Sequence, residues 1–144
     1  MELNTPTNPI IQGNQFILTQ VGDRRIAFPT SMIASILLTE RSQVLALPFY
    51  HEMVLGIVHH QGQLVTLMAL QHLIEGKPSQ IKEVFNALQL SESTGMPGLG
   101  LIVDQLLGQC GDDRMAADSD IERFQTQMLT PTLWQPRRWA ASSP

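Results

Sequence analysis

The chain has 144 residues, enough for one domain with a substantial apolar core and no covalent staples. It is 43% hydrophobic and only 15% charged, and a net charge of −4 leaves no positive field to hold a phosphate backbone, which excludes nucleic acid as a ligand. A single cysteine, Cys110, excludes an internal disulfide. No N-terminal stretch pairs basic residues with an apolar run, and no run approaches the roughly 20 residues that span a bilayer, so the expected location is cytoplasmic without membrane insertion.

Residues 1–14 carry too few apolar side chains to offset the entropy of ordering them and read as a loose arm. From Phe16 to Phe28 two apolar runs flank Gly22-Asp23, the pattern of a β-hairpin. Pro29 stops the second strand, and Thr30 or Ser31 is placed to cap one helical turn before a strand over Ile33 to Leu38. Leu47 to Tyr50 breaks regularity. Val54 to His60 and Gln63 to Met68 then flank Gln61-Gly62, where glycine permits a positive φ.

Leu70, Leu73 and Ile74 fall on one helical stripe, with Gly76 and Pro78 as a stop signal. Glu83 to Leu90 reads as a strand, residues 93–98 as a loop, and Leu99 to Val103 as the start of a second apolar run ending near Leu107. Gly111 to Asp120 is polar and acidic and reads as a connecting loop. Residues 121–129 fit helix or strand equally. Leu133-Trp134 reads as a last short strand and Arg137 to Ser142 as a helical turn. Many short strands and few helical periods define an all-β barrel or sandwich with short helices.

No catalytic constellation emerges. His59 and His60 are strand neighbours whose side chains point to opposite faces, and neither they nor His51 and His72 have a metal-ligand spacing. The sequence has no nucleophile elbow, and Cys110 has no patterned histidine partner, so it reads as a small hydrophobe. GMPGLG at 95–100 precedes a strand, whereas phosphate cradles precede a helix. Asp104 is a carboxylate within an apolar run, and pleat parity sends it to water. Arg137-Arg138 beside Trp139 reads as a solvated tail. The expectation is a binding module with no cofactor and no metal.

Three blocks, FILTQVGDRRIAFPTSMIASIL, VLGIVHHQGQLVTLMALQHLI and LGLIVDQLLG, resemble in order and separation the most recognisable blocks of CheW-like domains. The resemblance implies a single domain over 15–144 made of two small five-stranded SH3-like barrels with a shared core, the first mainly about 15–75 and the second mainly about 80–135. It also implies a non-enzymatic adaptor of chemotaxis, phototaxis or twitching signalling. Its partners would be a chemoreceptor's cytoplasmic tip and a CheA-like histidine kinase, at membrane-associated receptor arrays.

Against the family's Gly-Val-Val-Asn-Leu-Arg-Gly block, this chain has Gly56, Ile57, Val58, His59, His60, Gln61 and Gly62. Gln61 replaces a turn arginine that contributes to receptor contact in the family, and Ser35 replaces a commonly acidic residue, which points to an altered partner. The implied protein-binding residues are Ser35, Ile36, Leu38, His59, His60, Gln61 and Gly62. Residues 121–144 match the family's closing strands poorly, so the second barrel is expected to be incomplete or atypical, with open strand edges that favour self-association. Two other readings compete: an SH3-like interaction module outside chemotaxis, and a small histidine-based metal protein.

Overall fold

The computed structural model describes residues 14–46, 54–76 and 80–129. The loose arm, the break at Leu47 to Tyr50, His51, Leu133-Trp134 and Arg137 to Ser142 lie outside these, apart from Asn14.

The hairpin expected at the start is β1 (Gln15–Val21) and β2 (Arg24–Pro29), paired antiparallel with Val21 opposite Arg24. Gly22 supplies the positive φ of the turn, and its N–H donates to Asp104 Oδ2 at 2.7 Å. A 3-10 turn, Thr30–Met32, follows, but no side chain caps it, because Pro29 holds the cap position and carries no side-chain acceptor. β3 (Ile33–Glu40) comes next, then β4 (Val54–His60) and β5 (Gln63–Ala69), joined by the Gln61-Gly62 turn. Helix α1 (Leu70–Glu75) ends at Gly76, whose φ of 73° closes the last turn.

β6 (Val84–Leu90) and β7 (Leu99–Val103) pair antiparallel. The apolar run expected to continue from Leu99 to Leu107 is instead two strands, because the chain bends at Asp104 and starts β8 (Gln105–Gly111) in the other sheet. Asp104 is exposed as expected, though not through pleat parity, since all five residues of β7 are buried; it lies in the bend between two strands and holds that bend to the first hairpin, its N–H donating to Gln20 O at 2.9 Å. The stretch read as a connecting loop contains helix α2 (Asp112–Ala117), whose two N-terminal acidic residues suit the positive end of a helix. β9 (Ile121–Arg123) resolves the ambiguity at 121–129 as a short strand followed by a 3-10 turn, Thr126–Met128.

The strands form a four-stranded sheet, β8-β1-β2-β9, and a five-stranded sheet, β3-β6-β7-β5-β4. They do not divide into successive barrels at about 15–75 and 80–135. The five-stranded sheet takes the central segment of the chain, and the four-stranded sheet joins its two flanks. The sequence pattern records which residues form strands but not which distant strand each one meets.

Leu45, just beyond β3, bridges Ile57 of β4 with two hydrogen bonds of 2.8 Å, so the opposite edges of the five-stranded sheet meet and the sheet curls into a barrel. Leu37, Val58, Val65, Leu67, Phe85, Ala87 and Ile102 fill its interior. Gly56 makes the closure possible: a Cβ there would collide with the Leu45 carbonyl and lie 2.7 Å from Val44 Cγ1.

The other face of this sheet shares a core with the four-stranded sheet. There Val21, Ile26 and Phe28 pack with Met68, Leu88, Leu101 and Phe124. On the far side of the four-stranded sheet, Phe16, Leu18, Ala27, Cys110 and Ile121 form a smaller core roofed by Met115 of α2. Cys110 is a buried free thiol among apolar neighbours, as read from the sequence. Among the described residues this second sheet has four strands, one short of a five-stranded barrel.

Candidate functional site

The seven candidate residues lie on two elements. Ser35, Ile36 and Leu38 belong to β3, an edge strand, and His59 to Gly62 form the end of β4 and its turn into β5. β3 alternates strictly from Ser35 to Glu40: Leu37 and Thr39 are buried, while Ile36, Leu38 and Glu40 point outward. Ile36 is 44% exposed and Leu38 is 72% exposed, so neither is a core residue. Val84, on the neighbouring β6 and diagonal to Leu38, extends the exposed apolar strip.

The turn is tight because both of its residues adopt positive φ, Gln61 at 50° and Gly62 at 82°. His59 and His60 diverge as strand neighbours must. His59 is exposed, across the hairpin from Leu64, whereas His60 is partly buried, and its Nε2 has no hydrogen-bond partner among the described residues. Leu64 is 66% exposed beside the turn, and the sequence reading overlooked it as a contact residue. A leucine two places after a glycine turn reads as part of a core strand, and only the register shows that it faces out. No charged side chain occurs anywhere from Val54 to Ile74, so this end of the barrel is apolar and amide-rich.

The structure joins the two halves of the site through residues the sequence reading did not single out. The Ser35 hydroxyl donates to Gln89 Oε1 at 2.8 Å, and Gln89 Nε2 donates to Gln63 Oε1 at 2.9 Å. Gln63 sits opposite His60 at the base of the turn. Ser35 therefore faces inward to this chain of amides while its neighbours Ile36 and Leu38 face solvent.

Among the described residues, no group of three or more His, Cys, Asp or Glu is placed to hold a metal ion, and no helix is long and apolar enough to cross a membrane. Exposed apolar side chains around a tight turn, on a closed barrel with an apolar interior, are suited to touching another macromolecule.

Architecture and surface together define a small all-β interaction domain. The family model for the CheW-like domain matches residues 15–124, and this chain belongs to that family. Among solved structures, fifteen chains match. One is the scaffolding protein TtCheW from Thermoanaerobacter tengcongensis, with a TM-score of 0.60 and 11% identity over 69% of this chain and 66% of that one. At that identity the likeness shows the fold. A search of the curated proteins found no match.

Proposed function

We propose that this chain is a non-enzymatic cytoplasmic adaptor that couples a chemoreceptor-type protein to a CheA-like histidine kinase, in a chemotaxis, phototaxis or twitching pathway, at membrane-associated receptor arrays. Membership of the CheW-like family supports the class of function. The observation that carries the docking role is the exposure of Ile36 and Leu38 on the outer face of an edge strand. Leaving two large aliphatic side chains in water forgoes burial that elsewhere stabilises a domain by about 1.5–3 kcal/mol per side chain, and a partner recovers it. The turn residues His59 to Gly62, with Leu64, supply a second contact beside them.

The uncharged turn gives a second reading some support. Gln61 retains hydrogen bonding where the family's arginine supplies charge, so attraction to an acidic receptor tip is weaker and a different partner is favoured. An SH3-like interaction module outside chemotaxis fits that observation.

Co-purification from native cells under gentle lysis separates the two. Recovery of a CheA-like kinase together with a methyl-accepting receptor supports the adaptor reading. A reproducible partner of another kind, with no kinase, supports the interaction module instead.

A further inference from the structure

Gln89 is 5% exposed and polar, and it lies at the register position opposite Ser35. A buried amide is tolerated when its donor and acceptor are both used, and here each is used in a different direction. Oε1 accepts from Ser35 on the neighbouring strand, and Nε2 donates to Gln63 on β5. β5 is not a neighbour of β6, because β7 runs between them. The residue of β7 opposite Gln89 is Gly100. A Cβ at Gly100 would lie 2.8 Å from Val65 Cγ1 and 3.0 Å from Leu67 Cδ2, so the missing side chain leaves room for these two β5 side chains over β7. The amide thus spans from the edge strand to the base of the Gln61-Gly62 turn, a distance no ladder hydrogen bond covers.

We propose that Gln89 is a positioning residue: through its two amide hydrogen bonds it sets the geometry of the β4–β5 turn relative to β3, so that the two contact elements of the adaptor behave as one surface. The inference that these elements form one docking surface rests on the function proposed above. The mechanical link itself does not. Among the described residues, the side-chain hydrogen bonds of Ser35 and Gln63 meet only at Gln89. Substitutions at sites without a shared partner add, and those joined through one do not.

The test is a mutant cycle read by nuclear magnetic resonance on the protein alone, with no partner present. Ser35→Ala, Gln63→Ala and the double variant are made in the wild-type background and again with Gln89→Leu. The readouts are amide exchange at His60 and Gln63 and the chemical shift of Gly62. In the wild-type background, Ser35→Ala is expected to speed exchange at Gln63 about fivefold, with a matching shift change at Gly62, and the double variant is expected to be strongly non-additive. With Gln89→Leu, Ser35→Ala is expected to have no further effect at the turn.

Effects of Ser35→Ala confined to β3 and β6, additivity in the double variant, or an undiminished effect with Gln89→Leu would each overturn the proposal. A purely structural role predicts uniformly faster exchange throughout the barrel, which also counts against it. Ser35 and Gln63 are not buried, so the wild-type cycle decides the question even if Gln89→Leu does not fold, and Gln89→Met offers a second, unbranched replacement. Because no partner enters the measurement, its failure leaves the adaptor reading untouched, and a failed co-purification leaves the link untouched.

Discussion

The rings of Phe28 and Phe124 stack with centroids 4.6 Å apart and an interplanar angle of 24°. Phe28 belongs to β2 and Phe124 immediately follows β9, so the stack fastens the end of the four-stranded sheet into the core shared with the barrel. Both rings are fully buried. Phe124→Ala is expected to cost about 3–5 kcal/mol by urea denaturation, the range for deleting a buried aromatic ring. A loss below about 1 kcal/mol would show that this segment is peripheral to the fold.

The glycines of the β4–β5 region separate steric from conformational constraint. Gly62 has open space around it, so Gly62→Ala incurs only the left-handed backbone penalty of about 1–2 kcal/mol. Gly56→Ala drives a methyl group into the backbone that closes the barrel, and is expected to cost more than Gly62→Ala in the same thermal melt. Gln61, the one non-glycine at positive φ among the described residues, is expected to gain about 0.5–1 kcal/mol on replacement by Gly. Gln61→Arg should leave stability within about 0.5 kcal/mol and act only on salt-dependent association.

His60 Nε2 is buried without a partner among the described residues. Removing an unsatisfied polar atom while keeping the side-chain volume relieves its desolvation penalty. His60→Met is therefore expected to raise stability by about 1 kcal/mol in chemical denaturation, and a loss of that size would mean the imidazole makes a contact that favours the fold.

β8 is an edge strand paired on one side only among the described residues, and its sequence QLLGQCG carries no charge to discourage pairing with another chain. We expect sedimentation equilibrium to show mass rising with concentration, and Gln109→Lys, which places a charge on that edge, to lower it. A strictly monomeric mass at high micromolar concentration would contradict this.

Several elements were legible because local chemistry encodes them. The two glycine-turned hairpins, α1 with its glycine stop, and β6 all follow from turn residues and periodicity. What was hidden depended on distant contacts. β9 pairs parallel with β2, a partner nearly a hundred residues away, and α2 offers little more than Met115 as an apolar contact. β7 and β8 read as one run because a single residue, Asp104, turns the chain between sheets.

The candidate site was partly visible for the same physical reason that it is a candidate. Along Ile36-Leu37-Leu38 the outward positions are as apolar as the inward one, so alternation disappears from the sequence where a strand keeps an apolar outer face. The link through Gln89 left no trace, since a glutamine in a strand announces no partner until the fold brings Gln63 to it.

The most direct measurement of the docking claim is calorimetric titration of the co-purified partner against wild-type protein and Leu38→Asp, with the melting temperature of each recorded. The account predicts that affinity falls at least about tenfold, roughly 1.4 kcal/mol, with the melting temperature unchanged, because Leu38 is a contact residue outside the core. Unchanged affinity, or a loss of binding that only follows a loss of folding, would contradict it.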